Sequence, residues 1–143
     1  MSNSPFNSPF SLENKTAIIT GGASGIGAAT AELFASVGAT VHVSDIDLKA
    51  CQDRHASSQF ADKIIVHHCD VADKASVDAY VDAVLATGTV DILFNNAGAG
   101  MVGRIEQTSE EDFDRLYNVN VKGVFHMTSA LMPHFLECKA GNI

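Results

Sequence analysis

The sequence predicts an α/β fold in which helices cover both faces of a doubly wound parallel sheet. The chain has 143 residues, of which 46% are hydrophobic, and this suits one domain with a substantial core. Short apolar segments alternate with segments of helical periodicity. The apolar segments are continuous, as in strands buried on both faces, and such strands form parallel sheets between layers of helices.

Strands and helices can be assigned in order from these patterns. The first helix has apolar residues at helical spacing, which are Ile26, Ala29, Leu33 and Val37. The predicted elements are a strand at 17–19, a helix at 25–37, a strand at 40–44, a helix at 47–55, a strand from 64 to about 70, a helix at 73–86, a strand at 91–94, a long helix from 108 to about 137, and a fifth strand that begins at 141–143. The sheet is therefore predicted to be truncated at the start of its fifth strand.

Several boundaries follow from residues that start or end helices. Gly38 ends the first helix, and Asp73 is the expected N-cap of the third. Thr108 with Glu111 fits a capping box at the start of the long helix. That helix is expected to bend or break near Pro133, because proline lacks the backbone donor that a helix interior needs.

Residues 20–27, Thr-Gly-Gly-Ala-Ser-Gly-Ile-Gly, lie where the first strand ends and the first helix begins. A backbone that turns on glycine and opens into a helix points free N–H groups and the positive end of the helix dipole at one place, which makes an anion site. The expected anion is a dinucleotide pyrophosphate, because no Lys-Ser or Lys-Thr closes the loop as in a Walker motif. The alternative is an ordinary glycine-rich turn. The candidate cofactor-binding residues here are Gly21, Ser24, Gly25, Ile26 and Gly27.

Asp45 ends the second strand, 24 residues after Gly21, near the spacing of the acid that holds the adenosine ribose of a dinucleotide. A carboxylate accepts hydrogen bonds from the ribose 2′- and 3′-hydroxyls and repels a 2′-phosphate. The nearest base that follows is Lys49, and none lies in the glycine loop. We therefore expect NAD rather than NADP as the cofactor. The alternative is that Asp45 or Asp47 caps the next helix.

Two further polar turns end the third and fourth strands, at residues 70–71 and 95–98. Carboxyl ends of parallel strands meet at one edge of a sheet, where ligands of such sheets bind. Asp70, with the Val71 backbone beside it, is a candidate for a hydrogen bond to the adenine amino group. The alternative is that Asp70 caps its own loop.

Asn120 lies within an apolar stripe of the long helix. A buried amide without partners is costly, so we expect its side chain either to tie the helix to a neighbouring backbone or to hold a water in an active site. Asn118 lies off the stripe and is expected to be solvated. The stripe comprises Phe113, Leu116, Tyr117, Val121, Val124 and Phe125.

Composition argues against several classes of function. With 9 basic and 17 acidic residues the net charge is −8, which disfavours a nucleic-acid partner or an anionic membrane surface. No apolar run approaches membrane-spanning length, and no secretory signal is visible. The three cysteines have no metal-ligand spacing, so we expect no metal and a reduced, cytoplasmic compartment. Residues 1–12, which repeat Asn-Ser-Pro-Phe, are predicted to be a disordered leader before a dinucleotide-binding domain at 13–143.

Together these motifs resemble the classical short-chain dehydrogenases/reductases, which have a Rossmann-type fold. The resemblance covers residues 15–143 and rests on the segments 20–27, 70–71, 95–98 and 118–120. It implies that Asn96 belongs to the element that braces the central sheet and touches the nicotinamide ribose, and that Asn120 is the catalytic asparagine. It also implies a homo-oligomer that transfers hydride between NAD and a small-molecule carbonyl or secondary alcohol.

The chain departs from the family pattern in its acid–base residues. The family also uses a serine after the fifth strand and then a Y-x-x-x-K pair, but Tyr80 and Tyr117 each have valine four residues on, and the chain ends at Ile143. We therefore expect these 143 residues alone to have no turnover. Two alternatives stay open. One is a non-catalytic module that binds NAD or pairs with a full-length relative, and the other is an incomplete gene model without independent function.

Overall fold

The computed structural model describes residues 9–143, so most of the predicted leader lies outside the described part of the chain. A 3-10 turn at Ile105–Gln107 precedes α4, and a π-helical segment at Asn118–Lys122 joins α4 to α5. The strands are β1 (Thr16–Thr20), β2 (Thr40–Asp45), β3 (Ile64–His68) and β4 (Ile92–Phe94), and the helices are α1 (Gly25–Ser36), α2 (Leu48–Ala56), α3 (Lys74–Leu85), α4 (Glu110–Tyr117) and α5 (Gly123–Cys138).

The strands form one parallel sheet in the order β3-β2-β1-β4, which confirms the predicted fold class. Ile18 of β1 is in register with His42 of β2 and with Leu93 of β4. Beside β4, Asn142 makes a parallel bridge with Ile92, and the Leu93 N–H donates to the Asn142 carbonyl over 2.9 Å. The chain therefore ends as a fifth strand begins, as predicted. The strand order reverses between β1 and β4, which makes this edge the place where a ligand is expected.

The centre of β1 shows how both faces of the sheet are filled. Ile18 and Ile19 are fully buried and point to opposite faces, because side chains alternate along a strand. Ile18 belongs to a core cluster with α3 and α5, represented by Val81 and Leu131. Ile19 belongs to a second cluster with α1 and α2, which includes Cys51. Helices thus cover both faces of the sheet.

The buried face of α1 differs from the stripe that the sequence suggested. The helix is where it was predicted, but Ile26 and Leu33 are 71% and 60% exposed. Small side chains let the helix pack close to the sheet, and size rather than hydrophobicity selects the buried face. That face consists of Gly27, Ala28, Ala31 and Ala35.

The predicted long helix is interrupted, but not at Pro133. Pro133 lies inside α5, which continues past it, and the break is instead the π-helical segment Asn118–Lys122. The predicted capping box is also shifted by one residue, since Ser109 and Asp112 form it. Within residues 9–143, no helix has the length and apolar character needed to span a membrane.

The end of the predicted leader contacts the domain. The Leu12 N–H donates to the Val37 carbonyl over 2.9 Å, and the Leu12 side chain packs against the cluster around Ile19. The packed domain therefore includes Leu12, which precedes the predicted boundary at residue 13.

Candidate functional site

The carboxyl ends of the strands surround a cavity of about 730 Å³ at the predicted edge of the sheet. Its walls include four of the predicted site residues, Gly21, Asp45, Asp70 and Val71. A cavity of this size suits a small-molecule or cofactor ligand. The structure therefore brings the turns after β1, β2 and β3 to one place, as the sequence predicted.

The glycine loop depends on glycine for its backbone conformation, with positive φ at Gly21 and Gly25, and for close contacts. Gly21 has a φ of +71°, and a Cβ there would lie 2.8 Å from the Cα of Ala97. A Cβ on Gly27 would lie 2.1 Å from the Gly21 carbonyl oxygen. By contrast, Gly25 has nothing within 4 Å of its Cβ position, so the loop is open on that side. The loop is closely packed against β4 and leaves space next to the start of α1.

The start of α1 presents backbone donors that the chain does not cap. Ser24 is its N-cap residue, but the Ser24 side chain makes no capping hydrogen bond, and no acidic side chain lies in the first turn. The first N–H groups of a helix have no intrahelical partner, and the helix dipole makes this end positive. The N–H groups of residues 25–27 are thus available for an anion, and their binding of a pyrophosphate stays a prediction. The Ile26 side chain is exposed.

Asn96 fixes the glycine loop to the end of β4. Its Nδ2 donates to the carbonyls of Thr20 and Gly21, each over 3.0 Å. In return, the buried Thr20 Oγ1 accepts from the N–H groups of Asn96 and Ala97, over 3.1 and 3.0 Å. These four bonds join the carboxyl ends of β1 and β4. Asn96 does not line the cavity, and its contact with a nicotinamide ribose stays a prediction.

Asp45 contacts the glycine loop and does not cap α2. Its Oδ2 accepts from the Ala23 N–H over 3.0 Å, and its Oδ1 accepts from the Asp47 N–H over 3.1 Å. The cap of α2 is Asp47, whose carboxylate accepts from the Ala50 N–H over 2.9 Å. A carboxylate has about four lone-pair sites, so Asp45 can accept further hydrogen bonds on the cavity wall.

Asp70 and Val71 form a turn that the chain itself holds in place. The Asp70 carboxylate accepts from the Ala72 N–H over 2.9 Å, so it caps its own loop while lining the cavity. The Val71 carbonyl accepts from Nδ1 of His126 over 2.9 Å. A Cβ on Gly123 would lie 2.7 Å from the Val71 side chain, so the start of α5 packs directly on this turn.

Asn120 ties the π-helical segment to the loop after β4. Its Oδ1 accepts from the Ala99 N–H and its Nδ2 donates to the Ala99 carbonyl, both over 2.8 Å. This is the first of the two roles expected for its amide, and π-helical segments are frequent at functional sites. Neither Asn120 nor the surrounding stripe is buried as expected, since Asn120 is exposed and Phe113 and Phe125 are largely exposed. Asn118 was expected to be solvated, but it is half-buried on the cavity wall.

Helix α4 supplies a part of the cavity wall that was not predicted from the sequence. Glu111, Asp114 and Arg115 line the cavity there, and Arg115 is the only base on walls that also carry Asp45 and Asp70. This excess of carboxylates makes the wall acidic and disfavours an anionic group beside Asp45 and Asp70. Ile46 also lines the cavity, and its side chain is exposed. Its position as a single apolar residue between two aspartates was the sequence pattern that could have indicated it.

The cavity wall offers neither a nucleophilic thiol nor a metal centre. Burial raises the pKa of Cys69, its only cysteine, to about 11, so this thiol stays protonated at neutral pH. Over residues 9–143, no group of three or more His, Cys, Asp or Glu side chains could hold a metal ion. The recognisable chemistry of this wall is hydrogen bonding to a polar ligand.

Comparison with known proteins identifies similar sequences. A family model described as short chain dehydrogenase matches residues 15–143. The chain is 43% identical over 129 residues to the uncharacterized oxidoreductase YxbG of Bacillus subtilis. The matched region covers 88% of this chain and 47% of that protein. The chain spans about half the length of the curated relatives it matches.

Two solved structures share the fold. One is a 3-ketoacyl-(acyl-carrier-protein) reductase from Brucella melitensis complexed with NADH, with a TM-score of 0.84 and 43% identity over 89% of this chain and 52% of that chain. The other is a short chain dehydrogenase/reductase from Burkholderia phymatum in complex with NAD, with a TM-score of 0.86 and 36% identity over 93% of this chain and 49% of that chain.

Proposed function

The chain belongs to the short-chain dehydrogenase/reductase family, and from this premise we propose that it is the NAD-binding part of an oxidoreductase that acts on a secondary alcohol or a carbonyl. The observation that carries the proposal is the meeting of Gly21, from the glycine loop, with Asp45 and Asp70 at one cavity. NAD supplies a nicotinamide ring that accepts or donates the hydride. The three free cysteines of the described residues support a cytoplasmic location.

Each part of the cofactor has a proposed set of partners in this chain. The uncapped start of α1, at residues 24–27, would hold the pyrophosphate, and the open side of Gly25 leaves room for it. Asp45 would accept from the adenosine ribose hydroxyls. Asp70, with the Val71 backbone, would contact the adenine. Asn96 would hold the glycine loop through its bonds to the Thr20 and Gly21 carbonyls and would lie next to the nicotinamide ribose.

The preference for NAD over NADP depends on Asp45 and is testable by substitution. Asp45→Ser removes the charge that would repel a 2′-phosphate, so the ratio of NAD to NADP affinity measured by calorimetry should fall. Asp47→Ser is the matched control, because Asp47 lies in the same turn but caps α2. It should leave the ratio unchanged. An unmodified chain that binds NADP more tightly than NAD would contradict the role given to Asp45.

For the chemical step we propose Asn120, the one member of the family's catalytic set within these 143 residues. Its amide has one donor and one acceptor site beyond the two bonds to Ala99, and these would hold a water. Neither tyrosine has the lysine that would lower its pKa, since position 84 and position 121 are valine. We infer that a polypeptide of these 143 residues binds NAD without turnover. NAD-dependent oxidation of secondary alcohols above the background rate, with the polypeptide mass verified, would refute this.

A second candidate function is a non-catalytic module that pairs with another chain. An apolar face of α4, the π-helical segment and α5 favours it, because patches of this kind mark interaction sites in soluble proteins. Sedimentation of the chain alone should reveal a dimer, and a monomer at high concentration that also fails to co-purify with a full-length relative would exclude pairing. The face consists of Phe113, Tyr117, Val121, Val124 and Phe125, each 40–65% exposed.

A further inference from the structure

A buried histidine of α2 contacts the glycine loop. His55 is 3% exposed, and its Nε2 lies 2.9 Å from the carbonyl oxygen of Gly22. A carbonyl oxygen only accepts, so Nε2 carries the proton and donates. No sequence pattern indicates this contact, because the two residues lie 33 positions apart. The end of α2 is therefore hydrogen-bonded to the backbone of the candidate cofactor loop.

The peptide that His55 contacts is the same one that contacts Asp45. The Gly22 carbonyl and the Ala23 N–H belong to one planar peptide group. Its carbonyl accepts from His55, and its N–H donates to Oδ2 of Asp45 over 3.0 Å. The Gly22 N–H in turn donates to the Ser44 carbonyl over 2.9 Å. This peptide thus links a buried ring on one side to the carboxylate on the cavity wall on the other.

The other side of the ring faces a carboxylate from α1. His55 Nδ1 lies 3.7 Å from Oε1 of Glu32, and neither atom has a hydrogen-bond partner in the part of the chain that the structure describes. The second oxygen of Glu32 accepts from the Ser58 hydroxyl over 2.8 Å, which anchors the carboxylate. The buried ring thus lies between the Glu32 carboxylate and the Gly22 carbonyl, with Nε2 toward the loop.

We propose that His55 is a positioning residue for cofactor recognition, which acts through the Gly22–Ala23 peptide to orient the Asp45 carboxylate toward the ribose hydroxyls. The inference rests on the proposed NAD-binding role of Asp45. A donor on the Gly22 carbonyl polarises the peptide and strengthens the Ala23 N–H as a donor to Asp45, because linked hydrogen bonds reinforce one another. Without that donor, the peptide keeps only its bond to Asp45, so the Ala23 N–H holds Oδ2 of Asp45 less firmly.

The test is a double-mutant cycle on NAD affinity, with thermal unfolding recorded for each variant. His55→Leu should weaken NAD binding about three- to tenfold, the equivalent of one net hydrogen bond. In the Asp45→Ala background the same substitution should have no further effect. His55→Gln keeps a donor near the Nε2 position and should restore most of the affinity. Cys51→Ala is the matched control, because it perturbs the packing of α2 one turn earlier and removes no hydrogen bond to the loop.

The outcomes separate this inference from the proposed function. If the folded, unmodified chain does not bind NAD, the proposed function fails, and the inference fails with it. If it binds NAD but His55→Leu changes only the thermal unfolding, as Cys51→Ala does, the inference alone is overturned. An equal loss with and without Asp45 would also overturn it. If His55→Leu does not fold, the NAD affinity of His55→Gln is compared with that of the unmodified chain. A loss of NAD affinity of threefold or more in His55→Gln would contradict the proposed donor role.

Discussion

Replacing Asn96 by aspartate should detach the glycine loop from the end of β4. The side chain keeps its shape, but the Nδ2 that donates to the Thr20 and Gly21 carbonyls over 3.0 Å becomes an oxygen. A carboxylate oxygen then faces two carbonyl oxygens at hydrogen-bond distance. Both attractive contacts become repulsive in a half-buried position, and the loop has to move away from β4.

The size of the effect follows from the number of bonds lost. Asn96→Ala removes two hydrogen bonds of about 0.5–1.5 kcal/mol each, so the free energy of unfolding should fall by about 1–3 kcal/mol. Asn96→Asp should cost at least about 1 kcal/mol more, because it also places a charge against two acceptors. Acid protonates the introduced carboxyl and restores one donor. The deficit relative to the unmodified chain should therefore shrink as the pH falls from 7 to 4.

Urea unfolding followed by circular dichroism gives these free energies. Asn95→Ala is the matched control, since Asn95 makes one long bond of 3.4 Å to Thr128 and none to the loop. It should cost less than about 1 kcal/mol. If Asn96→Asp is as stable as Asn95→Ala at pH 7, the proposed brace does not hold the loop and the reasoning is refuted.

Two further predictions concern buried groups. Burial, and then the neighbouring His67, lower the pKa of His42 from 6.5 to about 4, so the unfolded chain binds a proton in this range that the folded chain does not. The contribution of His42 to the free energy of unfolding should be fully present above pH 6.5 and should fall by on the order of 3 kcal/mol toward pH 4. In urea unfolding, His42→Asn should reduce this dependence on pH. Burial raises the pKa of Cys51 and Cys69 to about 11, whereas Cys138 is exposed. One thiol should therefore react quickly with Ellman's reagent in the native chain at pH 7.5, and a second fast thiol would contradict the burial.

The fold and the edge of the sheet could be predicted because their signals are local. Continuous apolar segments mark buried strands, and Asp47 and Asp73 stand directly before α2 and α3 and cap them. The glycine loop was recognisable because its glycines follow a strand. Asp45 and Asp70 were recognisable as single acids at strand ends, and parallel topology then brings all of them together.

The features that were missed depend on contacts between distant parts of the chain. The buried face of α1 is set by how close the helix approaches the sheet, so Ala31 is buried and Leu33 is exposed although leucine is more apolar. The capping box shifted because Asp112, rather than Glu111, reaches back to Ser109. His55 lies in a polar helix without a motif, and only the fold brings it to the Gly22 carbonyl.

The most direct test of the account is an NMR titration of the isotope-labelled chain with NAD. If the dinucleotide binds at the edge of the sheet, the largest shifts should fall on the backbone amides of residues 23–27, with a second group at residues 70–72. The amides at the end of α5, around His134, serve as an internal reference and should not move, because His134 contacts Val90 at the opposite end of β4. Saturating NAD that leaves residues 23–27 unshifted, or that shifts only amides far from the cavity, would contradict the central claim.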